Sequence, residues 1–178
     1  MHEVMEGAEE REHAAEPWTL PVAVTLAILA VLVAMATLMG HRAAIEELLL
    51  ETQASDQWAY FQAKNMRLHE MQGIADVLGS IQPVDKEKTE AMREQYLKGV
   101  ERYDKEKDEI SEKAKELETE RGLVARREDR YDTAEVILEI ALIICSLTLL
   151  TRKRIFWFAG IVVGIVGVAV AVSGLLIR

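Results

Sequence analysis

Four carboxylates stand out by their spacing. Glu128, Asp132, Glu135 and Glu139 follow one another at steps of four, three and four residues, which sets them on one face of a helix. The run Val136 to Leu150 around the last of them is otherwise uncharged. An ionised carboxylate in such surroundings needs a partner or a purpose. Two chemistries fit. In the local one, Glu135 pairs with His41 or Arg42 at the end of an earlier apolar run, and Glu139, one turn deeper, is protonated or reaches outward. In the other, Glu135 and Glu139 form rings of carboxylates in an oligomer and make an ion path that attracts or conducts cations.

Other chemistry finds little footing. His2, His13, His41 and His69 lack the close spacing of metal ligands. Cys145 is the only cysteine, so no intramolecular disulfide can form. The chain holds no phosphate-binding glycine loop, zinc pattern or nucleophile motif. The sequence therefore predicts no catalytic residue, no metal and no cofactor, and a protein that is not an enzyme. A net charge of −9 opposes nucleic-acid binding.

The elements that position these residues follow from segregation. Half the residues are hydrophobic and 29% are charged, but the two kinds are not mixed. Residues 18–40 and 155–177 carry no charge, and 136–150 carry only Glu139. A helix that crosses a bilayer needs about 20 apolar residues. The expectation is an all-α membrane protein with spans at 18–40, 133–151 and 155–177, behind an acidic tail at 1–17. That tail holds six Glu against one Arg, which argues against a cleaved signal peptide despite Ala34-Met35-Ala36.

Between spans one and two, residues 41–132 hold 16 basic and 22 acidic side chains and one proline, Pro83. Most of the rest are helix formers. Both ends must meet the same membrane face, so the segment is expected to be a long antiparallel helical, coiled-coil hairpin. Its turn is placed near 79–83, with Pro83 in the first turn of the second arm. In that arm Tyr96, Tyr103, Ile110, Leu117, Val124 and Tyr131 recur every seven residues. The complementary seam, Val100, Lys107, Ala114, Arg121 and Glu128, is poor. The register runs on to Leu138 and Cys145, which predicts one helix of about 65 residues from solvent into the bilayer, with Gly99 and Gly122 as its weak points.

The first arm is more apolar than one charged partner arm can cover. The excess is read at Trp58, Tyr60 and Phe61, as contacts with other subunits or partners. Small residues form two further seams. Gly160, Gly164, Gly167, Ala171 and Gly174 line span three, and Ala23, Ala27, Ala30 and Ala34 line span one. Such seams let helices approach closely in lipid, within one chain or between chains.

The run Ser55-Asp56-Gln57-Trp58-Ala59-Tyr60-Phe61-Gln62-Ala63-Lys64 resembles the signature of a bacterial membrane family, domain of unknown function 4337. Gly40-His41-Arg42-Ala43 after span one, the helix from Tyr131 to Ile144 and the basic-aromatic step from Arg152 to Trp157 are similar to that family too. The likeness covers about residues 18–177. It implies a bacterial inner-membrane protein with three spans and supplies no activity, substrate or catalytic residue.

Orientation is read from Arg152-Lys153-Arg154, the short basic loop between spans two and three. Positive charge in short loops marks the cytoplasmic side. That puts the N-terminus in the cytoplasm and the hairpin outside. The expected function is an accessory or structural membrane protein that forms a homo-oligomer in the lipid bilayer and docks another membrane complex through its hairpin. The alternative is an oligomeric cation or proton channel that uses Glu139.

Overall fold

The computed structural model describes residues 18–177; the acidic tail lies outside them. The described residues form three helices: α1, Thr19–Ser80; α2, Lys86–Thr151; and α3, Arg154–Leu175. Each contains a stretch long and apolar enough to cross a membrane. α2 is a single helix of 66 residues. Gly99 and Gly122 lie inside it without a break. A lone glycine costs a helix about 1 kcal/mol relative to alanine, which does not interrupt α2 at either position. α1 is also unbroken, over 62 residues.

The connection between α1 and α2 spans 81–85. Pro83 lies ahead of α2 and not in its first turn, which corrects the expected placement. Asp85 starts the helix instead. Its Oδ1 accepts from the backbone N–H of Lys88 at 3.1 Å, and its carbonyl accepts from the Thr89 hydroxyl at 2.8 Å. That is the helix N-cap arrangement, which satisfies an otherwise orphaned amide. α2 and α3 are joined by only Arg152 and Lys153, with Arg152 at φ 54. A tight reversal requires such a left-handed residue.

The described residues divide into two compact units. The first gathers the chain up to Ala44 with the chain from Leu123 onward, so it holds all of α3. Its core is Leu29, Ala36, Leu138, Ala141 and Cys145. All four buried residues of α3 are glycines: Gly160, Gly164, Gly167 and Gly174. The second unit, Ile45–Gly122, pairs the rest of α1 with the rest of α2. Its buried apolar residues are Leu50, Ala54, Leu68 and Ala75 of α1, with Tyr103 and Ala114 of α2.

Candidate functional site

In the first unit, α3 packs by bringing its glycines onto side chains of the other two helices. A Cβ at Gly160 would collide with Cys145 Sγ and would lie 3.0 Å from the Ala141 carbonyl oxygen. At Gly164 it would sit 2.9 Å from Leu29, and at Gly167 2.8 Å from Leu138. The predicted glycine seam of span three is therefore an intrachain contact, with Ala171 half-buried beside it. Sequence reasoning left open whether this seam works within or between chains. The Trp157 indole N–H donates to Thr25 Oγ1 at 3.1 Å and ties α3 to α1. At the other end of α3, the Arg127 guanidinium donates to the Ile177 carbonyl at 3.1 Å.

The alanine seam of span one behaves differently. Ala23, Ala27, Ala30 and Ala34 are all exposed. α1 buries the neighbouring repeat instead, Val22, Leu29, Ala36 and Ala43. Val22 and Leu29 of that repeat are buried with Ala36 and Ala43, and the all-alanine stripe is left on the surface.

The carboxylates also separate. Glu135 is half-buried and accepts a 2.7 Å hydrogen bond from the Thr37 hydroxyl. That hydroxyl also lies 3.0 Å from the Val33 carbonyl, and its single proton favours the shorter contact. The expected partners of Glu135, His41 and Arg42, are instead exposed, which corrects that pairing. Gly40 lets α1 approach α2 here, because a Cβ would fall 2.9 Å from Asp132 Oδ1. Glu139 is exposed, and no hydrogen bond or ion pair reaches it among the described residues. Thr148 Oγ1 is buried without a hydrogen-bond partner in the same unit. Thr37 was missed at the sequence level, since only the approach of α1 and α2 selects it.

The second unit is held by polar side chains around its seam. From one end to the other, Glu51 meets Arg121 at 3.7 Å, Trp58 Nε1 donates to Glu118 at 2.8 Å, and Lys64 pairs with Glu106 at 2.5 Å. Arg93 Nε then donates to the Ala75 carbonyl at 3.3 Å. A Cβ at Gly99 would meet Met71 Sδ at 2.5 Å. The poor complementary seam is thus used: Ala114 is buried, and Lys107 and Arg121 are half-buried with their charges led to Asp104 and Glu51.

Lys64 is the centre of this unit. Its ammonium stands 4.9 Å from the Tyr103 ring centroid and 5.2 Å from that of Tyr60, and the Arg102 guanidinium lies 4.7 Å from Tyr103. The hydrogen bond to Glu106 raises the Lys64 pKa above its ordinary value and lowers that of Glu106. The neighbouring Arg67 and Arg102 guanidiniums favour the phenolate and lower the Tyr103 pKa.

The predicted contact residues Trp58, Tyr60 and Phe61 split in the structure. Trp58 and Phe61 stack edge to face with centroids 5.6 Å apart, and both are half-buried. Tyr60 is 50% exposed. The larger surplus on α1 lies elsewhere. Ile45, Thr52, Ala59, Met66 and Gly73 recur every seven residues, and Leu49, Asp56, Ala63, Glu70 and Val77 form the complement. All ten are exposed. Gly73 has open space where a Cβ would be, so nothing in the unit explains a residue that costs a helix about 1 kcal/mol relative to alanine. This seam was hidden in the sequence because its four large apolar residues, Ile45, Leu49, Met66 and Val77, are spread among six small or polar ones. Its signal was a second period of seven on the same helix.

A family model described as Domain of unknown function (DUF4337) matches residues 18–177. No curated protein and no solved structure matches the chain.

Proposed function

The chain belongs to the domain of unknown function 4337 family, and from that premise we propose that it is a non-catalytic multi-pass protein of the bacterial inner membrane. It self-associates in the bilayer and docks partners through a helical hairpin. The first unit is the membrane part, with its three spans, and the second is the antiparallel coiled-coil hairpin. Contacts that run from Glu51–Arg121 to Ala75–Arg93 support that pairing, because numbers rise on α1 as they fall on α2. The observation that carries the reading is the exposed alanine stripe Ala23, Ala27, Ala30 and Ala34, since a small-residue stripe on a span favours packing against another helix. The N-terminus is cytoplasmic and the hairpin extracytoplasmic, on the strength of Arg152, Lys153 and Arg154 in the short loop.

Native mass measurement of the full chain in mild detergent tests self-association. A discrete oligomer is expected, which dissociates when Ala27 and Ala30 are replaced by Leu; a strictly monomeric parent protein overturns the reading. Alkaline phosphatase fused after Arg178 tests orientation, and activity is expected.

A second reading is favoured by one observation: Glu139 lies exposed on an apolar stretch of α2 without a partner. In an oligomer such a carboxylate could face its copies and pass cations or protons. Ion flux in liposomes that drops in Glu139→Gln supports it, and absence of flux in the parent removes it.

A further inference from the structure

The outward seam of α1 in the second unit is built like a coiled-coil face with no partner helix. Its apolar members are well exposed, Ile45 at 61%, Leu49 at 57%, Met66 at 72% and Val77 at 60%. Ala59, Ala63 and Gly73 keep its middle and far end narrow. The open space at Gly73 suits the close approach of another backbone. Only two members carry charge, Asp56 and Glu70. They stand 14 residues apart, which is two heptads and about 21 Å along the helix.

Charge decides what can cover this face. A second copy aligned in parallel would set Asp56 against Asp56 and Glu70 against Glu70. Aligned antiparallel about Ala63, it would set Asp56 against Glu70. Both arrangements close an apolar seam on like charges, which is unfavourable. The chain's own tail is also excluded, because residues 1–17 carry six Glu and one Arg. We propose that the outward α1 seam docks a helix of another protein that carries an apolar heptad stripe interrupted by two Lys or Arg residues two heptads apart. Asp56 and Glu70 pair with those cations and fix the register, while Ala59, Ala63 and Gly73 admit the partner backbone. The proposal rests on the reading of the hairpin as the docking element, and it assigns self-association to the other unit.

The test uses the full chain in proteoliposomes and two synthetic helical peptides of 35 or so residues, enough for five heptads. Both have a Leu/Ala stripe; one carries Lys at the two charged positions and the other Glu. At low salt the lysine peptide is expected to bind about tenfold more tightly. The preference should reverse in the Asp56→Lys/Glu70→Lys double variant. Gly73→Leu should weaken the lysine peptide about tenfold at unchanged helicity, by blocking backbone approach. Equal binding of the two peptides, no binding of either, or a preference that the double variant leaves unchanged overturns the proposal. So does efficient disulfide-linked dimerisation of Ala63→Cys, since the native Cys145 is buried and the new thiol reports a second copy on the seam. Native mass of the same preparation separates the two ideas. An oligomer indifferent to peptide charge sinks only this partner, and a monomer that prefers the lysine peptide sinks only self-association.

Discussion

The two units use the same seven-residue period and close it in opposite ways. In the first, the glycines of α3 make room for neighbouring helices: Gly160 lies against the backbone of Ala141 and Cys145, and Gly167 against the Leu138 side chain. In the second, long polar side chains, Lys64, Glu106, Trp58 and Arg121 among them, link the two helices around the seam. Contact at Gly160 has no slack, because the Ala141 carbonyl and the Cys145 amide cannot move aside. Contact through long side chains yields, because rotamers can change. If the first unit lies in lipid and the second in water, as proposed, the medium explains the choice. Apolar surroundings offer no hydrophobic drive between helices, so close packing must hold them. In water, apolar burial does that work and charged heads can stay solvated.

The same substitution placed in both units is the sharpest way to break this contrast. Gly160→Ala puts a Cβ against Cys145 Sγ and the Ala141 carbonyl, and a loss of about 2 kcal/mol of stability is expected. It would appear as a lowered thermal midpoint for the purified chain in detergent. Thr37→Val tests whether one hydroxyl matters between α1 and α2. It leaves the half-buried Glu135 carboxylate without its donor, at a cost of about 1–2 kcal/mol in the same melt.

Glu106→Gln comes next, and its effect should depend on pH. The Glu106 pKa is lowered by Lys64, so the pair's contribution is present above the ordinary carboxylate pKa and is lost as pH falls through the lowered folded value. The Lys64 pKa is raised, so the contribution is full below the ordinary lysine value and is lost as pH rises through the raised one. Variant and parent should therefore differ in helix melting at neutral pH and converge in strong acid. The smallest effect belongs to Gly99→Ala. Its Cβ meets only the flexible end of Met71, and better helix propensity offsets the shift, so stability should stay within about 0.5 kcal/mol of the parent. A loss as large as that of Gly160→Ala would erase the distinction between the units.

Much of this architecture can be read from the chain alone, because it rests on composition and period. The uncharged runs at 18–40 and 155–177 fall in α1 and α3. The stripe from Tyr96 through Tyr131 to Cys145 is buried or half-buried at every position. What eluded the sequence depends on which of two faces wins. Ala23 to Ala34 and Val22 to Ala43 are rival stripes on one helix, and only the positions of α2 and α3 decide that the second is inside. The partner of Glu135 had the same fate: three donors lie within about a turn of one another on α1, and interhelical approach selects Thr37 over His41 and Arg42. Asp85 was passed over for Pro83 because a proline is conspicuous, whereas a cap is recognised only by its hydrogen bond.

The clasping of α3 at both of its ends has a consequence for the thickness of the layer it can live in. Arg152 and Lys153 hold one end and the Arg127–Ile177 hydrogen bond holds the other, with the glycine contacts between them. In a lipid bilayer thinner or thicker than its hydrocarbon match, such a helix cannot tilt alone. If the first unit lies in a bilayer as proposed, it would have to tilt as one body or deform the lipid around it, at a modest cost for each ångström of mismatch.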